Sequence, residues 1–225
     1  MKRRVGIIVA TREEQIPFFH VFGVPSCAHR DDMYDVSSWN KYQNDIYLIR
    51  SGYGEIAAAA ATQHLVDRFD VESVINYGVV GALTEDLHVG DIGVVRKIVH
   101  YGFDLSATGE YPVGRYPNQN DLFIKPKEEV LSDKIIESYN DFICASADRF
   151  VDGGELKRQL QRDYGANICE IEAAGIVITC NKNHIPCSFI KAVSDGVDEG
   201  SEAFNDNVSR VSRICVEELA KILQI

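Results

Sequence analysis

Between Asp45 and Tyr77 the chain reads DIYLIR, then SGYG, then EIAAAAATQHLVDRF, then DVESVINY. Asp45 to Arg50 is a short run of strand type. Gly52 and Gly54 follow and interrupt the extended pattern, because glycine tolerates backbone conformations other residues avoid. Glu55 to Phe69 then carries five consecutive alanines, the best helix former. Val71 to Tyr77 returns to a strand-like apolar run. A strand, a glycine turn, a helix and a second strand in this order point to a sheet with helices laid on it.

The same alternation continues outward on both sides. Upstream, Val5-Gly6-Ile7-Ile8-Val9-Ala10 is wholly apolar, the pattern of a strand covered on both faces. Thr11 is placed to cap a helix beginning at Arg12, which Pro17 is expected to bend or shorten. Residues 23–44 are polar and irregular, with edge strands expected around Tyr34 and Tyr42. Downstream, the spacing predicts a strand over 92–100 and a long loop over 102–122, rich in Gly, Pro, Tyr and Asn. It then predicts helix 127–139, strand 141–146, helix 153–163, strand 167–170, helix 172–183, strand 187–194 and helix 202–224. Strands alternating with helices over most of the length predict one α/β domain, residues 1–225, around a largely parallel or mixed sheet.

Composition narrows the function classes. The chain has 225 residues, 45% hydrophobic and 25% charged, ordinary values for a folded globular protein. Its formal net charge is −11, which opposes binding to nucleic-acid phosphates or anionic lipid. No apolar run approaches the roughly 18–20 residues of a membrane span. Met1-Lys2-Arg3-Arg4 has the charge of a signal-peptide start. The apolar stretch behind it ends at Thr11-Arg12-Glu13-Glu14, too soon for such a leader, so a cytoplasmic chain is expected. The six cysteines contain no C-x-x-C pair, and Cys144, Cys169, Cys187 and Cys215 sit in apolar runs. Free thiols in a reducing compartment are expected. The histidines form no H-x-x-x-H pair, so neither a metal nor another cofactor is expected.

Four strand ends deliver polar groups, and open α/β sheets bind ligands at such ends. Arg12-Glu13-Glu14 follows the first strand, where acidic residues also complement a helix N-terminus. Ser51-Gly52-Tyr53-Gly54 opens a helix but lacks the G-x-G-x-x-G dinucleotide spacing. Asn76-Tyr77-Gly78-Val79-Val80-Gly81-Ala82, followed by Leu87-His88-Val89-Gly90-Asp91-Ile92, reads either as backbone passing close to a small molecule or as tight turns. Glu170-Ile171-Glu172-Ala173-Ala174-Gly175 and Ser194-Asp195-Gly196 place carboxylates at two further junctions. Each carboxylate alone could be a helix cap; three such sites in one chain favour convergence on a pocket.

Taken together, these segments resemble the purine nucleoside phosphorylase/uridine phosphorylase superfamily, and within it the 5′-methylthioadenosine/S-adenosylhomocysteine nucleosidases. The resemblance runs in order through Gly6-Ile7-Ile8-x-Ala10-x-x-Glu13-Glu14, Ser51-Gly52-x-Gly54-x-x-Ala57-Ala58-Ala59 and Asn76-x-Gly78-x-x-Gly81-x-Leu83. It continues through Val89-Gly90-Asp91-Ile92, Ser146-x-Asp148-x-Phe150, Glu170-x-Glu172-Ala173 and Ser194-Asp195. It implies a three-layer α/β/α domain with a central mixed, twisted sheet. Position by position, it implies that Glu14 activates the attacking water, Glu172 holds the ribose hydroxyls and Asp195 serves N7 of the purine, oriented by Ser194. It implies that Phe150 stacks on the base, that the Val151 backbone reads the adenine edge and that Phe204 walls the 5′ substituent. Ile49, Tyr53 and Ile171 are implied lining residues. The chain departs from the family at Val79, where nucleosidases carry a hydroxyl, and at Lys191, where they carry Arg.

The chemistry suits those residue types. Breaking an N-glycosidic bond builds positive charge on the ribose and negative charge on the base, so carboxylates near the sugar and an acid at the base both help. Glu14 must accept a proton and Asp195 must give one. Attack from the face away from the base predicts hydrolysis with inversion. Two alternatives keep the fold: phosphorolysis, or hydrolysis of another purine nucleoside such as a futalosine-like compound. The Gly-Asp-x-x-Arg phosphate segment of phosphorylases is missing, and Glu14 in that region repels phosphate. A third alternative is a non-catalytic nucleoside-binding protein. The resemblance also implies a homodimer in which segment 101–118, through Tyr101 or Phe103, closes the partner's pocket.

Overall fold

The computed structural model describes residues 2–30, 32–117 and 119–224; Met1 of the basic start and Asn118 of the 101–118 segment lie outside them. Among the described residues nine strands and six α-helices follow one another, beginning with β1 (Arg3–Val9), α1 (Arg12–Phe22), β2 (Cys27–Arg30), β3 (Asp35–Lys41), β4 (Asn44–Arg50) and α2 (Glu55–Phe69). Next come β5 (Ser73–Ala82), β6 (Ile92–His100), α3 (Asp133–Ile136), β7 (Asn140–Ser146), α4 (Gly154–Tyr164), β8 (Ile168–Glu170), α5 (Ala173–Asn183), β9 (Cys187–Asp195) and α6 (Ser201–Leu223).

The strands form one mixed sheet in the order β2-β3-β4-β1-β5-β8-β7-β6-β9, and β9 also pairs with β5. That last pairing curls the second half of the sheet into a five-stranded closed ring. β4, β1, β5 and β9 run parallel, so their carboxyl ends gather on one side.

Side chains alternate between two faces, as a pleated strand requires. On β1, Val5, Ile7 and Val9 enter the core under α1 and α6, whereas Ile8 enters the core under α2 and α5. On β5, Ile75, Tyr77 and Val79 follow the first set and Val74, Val80 and Ala82 the second. Phe18 and Phe22 of α1 with Val211, Cys215 and Leu219 of α6 cover one face. Ala58, Ala61 and Leu65 of α2 with Ala174, Val177 and Cys180 of α5 cover the other. The expected three-layer α/β/α arrangement around a mixed sheet is therefore observed.

Several local expectations are corrected. The helix expected over 127–139 shrinks to α3, four residues long. Ahead of it the backbone spends its N–H groups on side chains instead: Lys127 N donates to Asn181 Oδ1, and Val130 N and Leu131 N donate to Ser188 Oγ. β5 does not end at Tyr77; it continues through Gly78 and Gly81 to Ala82, all buried, so those glycines are not turns. The helix containing Pro17 is not brief, running 11 residues. The edge strand expected around Tyr42 ends at Lys41, and Tyr42 takes a left-handed turn conformation at φ 53°. Cys180 joins the four anticipated cysteines in the interior, and Cys27 is exposed. Among the described residues no helix is long and apolar enough to cross a membrane.

Candidate active site

Thr11 caps α1 with a reciprocal box: its hydroxyl oxygen accepts from Glu14 N at 3.1 Å, and the Glu14 side chain reaches back. Glu14 Oε2 accepts from Ala10 N at 3.0 Å, Thr11 N at 2.9 Å and Thr11 Oγ1 at 3.1 Å. Its Oε1 accepts from Val79 N at 3.1 Å, across from β5. The Tyr77 hydroxyl donates to the Glu14 carbonyl at 2.7 Å and fixes the turn from beneath. A Cβ at position 78 would lie 2.5 Å from Glu14 Oε1, so glycine there is what lets the carboxylate reach the strand. Glu14 is thus both a helix cap and a rigidly aimed carboxylate in a cavity wall.

At the start of α5, Glu170 turns its oxygens onto the helix N-terminus, accepting from Glu172 N at 3.0 Å and Ala173 N at 2.9 Å. Lys191 Nζ lies 3.4 Å from Glu170 Oε2, and both side chains are buried. Burial pushes the Lys191 ammonium down, but Glu170, Glu172 and Glu14 around it more than offset this and leave its pKa raised. Glu172 Oε1 accepts from Gly54 N at 3.1 Å, while Oε2 has no hydrogen bond among the described residues. Burial, reinforced by the neighbouring Glu170, raises the Glu172 carboxyl from 4.5 to about 8.

That shift has a sign. The native state holds a proton on Glu172 that the unfolded chain has lost, so the associated stability is complete below about pH 4.5 and disappears as pH rises through about 8. The wild-type melting temperature is therefore expected to fall relative to that of Glu172→Gln across this range. Parallel melting curves at all pH values would contradict the assignment.

The third carboxylate stands where β9 leaves register with β5. Val80 pairs with Val193 but Gly81 pairs with Asp195, so Ser194 is an extra residue that redirects the strand end. Ser194 Oγ donates to Asp195 Oδ1 at 2.6 Å. Lys157 of α4, which sequence reasoning missed, donates to Asp195 Oδ2 at 2.5 Å. Lysine in a strongly polar helix ordinarily faces solvent; the signal was its spacing of three from buried Leu160 on the same helix face.

These ends meet around one cavity at the carboxyl ends of the parallel strands, the place where open α/β sheets bind small molecules. Glu14, Glu172, Asp195, Ser194, Val79, Tyr53, Phe150, Val151, Ile171 and Phe204 all line it. Phe150 is 43% exposed and meets Phe204 edge-on at 5.5 Å, forming an aromatic corner. Thr11, Arg149 and Cys169 also line it and were not assigned to it beforehand, and Gly81 lines it as the close-backbone reading of 76–82 allowed. Two expected lining residues do not: Ile49 is fully buried in the α2–α5 core because its β4 side chain points to that face, and Lys191 lies behind Glu170, which itself lines the cavity. Phe103 stacks on Tyr116 of its own loop at 4.0 Å, away from this cavity. Burial holds the Cys169 thiol up at about 12, so it offers no thiolate. Among the described residues, no group of three or more His, Cys, Asp or Glu side chains could hold a metal ion.

Carboxylates and an aromatic corner around a cavity at parallel strand ends define a small-molecule site built for charge stabilisation. A model of the phosphorylase superfamily matches residues 1–225, and the chain belongs to that family. It is 32% identical over 190 residues to the 5′-methylthioadenosine/S-adenosylhomocysteine nucleosidase of Staphylococcus haemolyticus, covering 80% of this chain and 82% of the relative. It is 28% identical over 212 residues to the aminodeoxyfutalosine nucleosidase of Helicobacter pylori, covering 88% of each. The solved Helicobacter pylori 5′-methylthioadenosine/S-adenosylhomocysteine nucleosidase with butyl-thio-DADMe-Immucillin-A superposes with a TM-score of 0.89 at 25% identity, covering 99% of this chain and 98% of that one.

Proposed function

We propose that the chain is an N-glycosyl hydrolase that cleaves 5′-methylthioadenosine and S-adenosylhomocysteine to free adenine and the thioribose product. The observation that carries this reading is the clamped Glu14 carboxylate, held by four donors in the wall of the cavity that also holds Glu172 and Asp195. Glu14 takes a proton from a water aimed at C1′. The C1′–N9 bond breaks, its electron pair leaves with the base, and a proton reaches N7 through Asp195. Glu172 holds the ribose hydroxyls through its unused oxygen, and its negative charge is favoured as the ribose becomes cationic. Phe150 stacks on the base, the Val151 backbone reads its edge, and Phe204, Tyr53 and Ile171 enclose the 5′ side.

Water is favoured over phosphate on electrostatic grounds. Glu14 and Glu170 already surround the ammonium of Lys191, with the protonated Glu172 beside them, and a phosphate dianion there meets the carboxylates' repulsion. Names of the relatives make aminodeoxyfutalosine the second substrate to test. The exposed apolar rim at Tyr53 (67%) and Ile56 (80%) supports a homodimer in which a second copy covers this edge.

Base release followed by chromatography tests the reading. With purified protein and no phosphate, adenine is expected from methylthioadenosine and S-adenosylhomocysteine, with little release from inosine. Preference for aminodeoxyfutalosine would move the substrate assignment, and binding of adenine nucleosides without release would overturn the enzyme.

A further inference from the structure

The reading above gives no task to Lys157, although its side chain is fully buried. Lys157 Nζ donates to Asp195 Oδ2 at 2.5 Å, to the Gly196 carbonyl at 2.6 Å and to the Glu199 carbonyl at 2.9 Å. Its three protons thus have three acceptors. Asp195 Oδ1 is taken by the Ser194 hydroxyl. Asp195 is accordingly an ion-paired carboxylate, and an ion-paired carboxylate has no proton of its own to give. The departing purine anion nevertheless requires one. Asp195 lines the cavity and Lys157 lies directly behind it: a Cβ at Gly81, which also lines the cavity, would stand 2.9 Å from Asp195 Oδ2 and 3.3 Å from Lys157 Nζ.

We propose that Lys157 is a positioning residue that supplies the leaving-group proton through Asp195, an inference that rests on the nucleosidase reading. As C1′–N9 breaks and its electron pair moves onto the base, Lys157 Nζ gives a proton to Asp195 Oδ2, and the Asp195 carboxyl so formed passes that proton to N7. Glu14 meanwhile gains the proton lost by water. The net change within the protein is one proton lost at Lys157 and one gained at Glu14, restored through solvent after product release. An ammonium suits this task because its acidity is closer than a carboxylic acid's to that of a purine N–H. The Gly196 and Glu199 carbonyls also tie the turn after Asp195 to α4, holding the donor in place.

Titratable groups facing the pair from the packed elements are Cys169 of β8, Arg158 of α4, and Asp198 and Glu199 of the following turn. The Cys169 thiol is kept neutral by burial. Arg158 and Asp198 engage each other in two 2.7 Å contacts, and the Glu199 carboxylate accepts from Gly196 N. None of these offers a replacement proton at Asp195.

The test compares wild type with Lys157→Met on two substrates over a range of pH. Methylthioadenosine needs leaving-group protonation; a 4-nitrophenyl riboside does not, because nitrophenolate departs unaided. Without Lys157, Asp195 must take the proton from solvent before passing it on, which becomes harder as protons grow scarcer at higher pH. The variant is expected to lose roughly 10²-fold against methylthioadenosine at about pH 8 and less than roughly tenfold at about pH 5. On the nitrophenyl riboside it should stay within about threefold of wild type throughout. Equal losses on both substrates, or a wild-type-to-variant ratio independent of pH, would make Lys157 purely structural and overturn the proposal. Should Met prevent folding, Lys157→Arg keeps the charge, and a guanidinium does not release its proton. It is then expected to show the purine-specific loss at every pH, and full activity would overturn the proposal. Wild-type protein that releases no base from any nucleoside would instead defeat the nucleosidase reading itself.

Discussion

Glu14→Gln is expected to lower the rate of adenine release by roughly 10²–10⁴-fold, the range for loss of a positioned general base. The substitution keeps the size of the side chain and removes its ability to take a proton from water. It also turns one acceptor oxygen into a donor in a wall that presents four donors, the amides of Ala10, Thr11 and Val79 and the Thr11 hydroxyl. Some loss of helix capping is therefore expected alongside the catalytic loss, about 1 kcal/mol by the usual cost of a cap. Single-turnover kinetics with a melting curve on the same sample separates the two. A large fall in the chemical step with a small fall in stability fits the role proposed for Glu14. A rate within about threefold of wild type would remove Glu14 from the reaction.

Lys191→Met is expected to have the largest effect on stability. Lys191 is 2% exposed and is the counterion to Glu170, Glu172 and Glu14. Removing one partner of a buried ion pair typically costs about 3–5 kcal/mol, because the remaining charge is left uncompensated. Glu14 and Glu170 must then repel one another or take up protons as Glu172 already does, so the variant should recover stability as pH falls. Lys191→Arg retains the charge and is expected to fold, with a planar fork in place of a point charge. Urea denaturation of both variants checks this. A Met variant as stable as wild type at neutral pH would show that the cluster does not depend on the ammonium.

Much of the architecture was legible because the core residues obey simple periods. The apolar runs at Val5–Ala10 and Ser188–Val193 and the alanine helix after Gly54 lie where strand and helix patterns put them. Failures came where tertiary partners outweigh local pattern. Residues 127–132 have a helix-compatible composition, yet Asn181 and Ser188 capture backbone N–H groups at 127, 130 and 131 and hold the segment in bends instead of a helix. For Gly78 and Gly81 the sequence left tight turns and close backbone approach both open, because local pattern cannot register a carboxylate from α1 and one from β9 packed against the strand. Ten of the expected site residues converge on one cavity. Ile49 missed it by the strict two-residue alternation of β4, which a lining assignment by analogy does not check. Lys157 was missed because its partners lie 38 to 42 residues away, and its spacing of three from Leu160 is a weak local mark in so polar a helix.

The identity of the attacking group decides the account most directly. Methylthioadenosine would be turned over by wild-type protein with and without saturating phosphate, with the sugar product followed by NMR from the first minutes. Hydrolysis directed by Glu14 predicts adenine and free 5-methylthioribose at the same rate in both, the new C1′ hydroxyl appearing first in the inverted α configuration. A phosphate-dependent rate with 5-methylthioribose 1-phosphate as the product would contradict it.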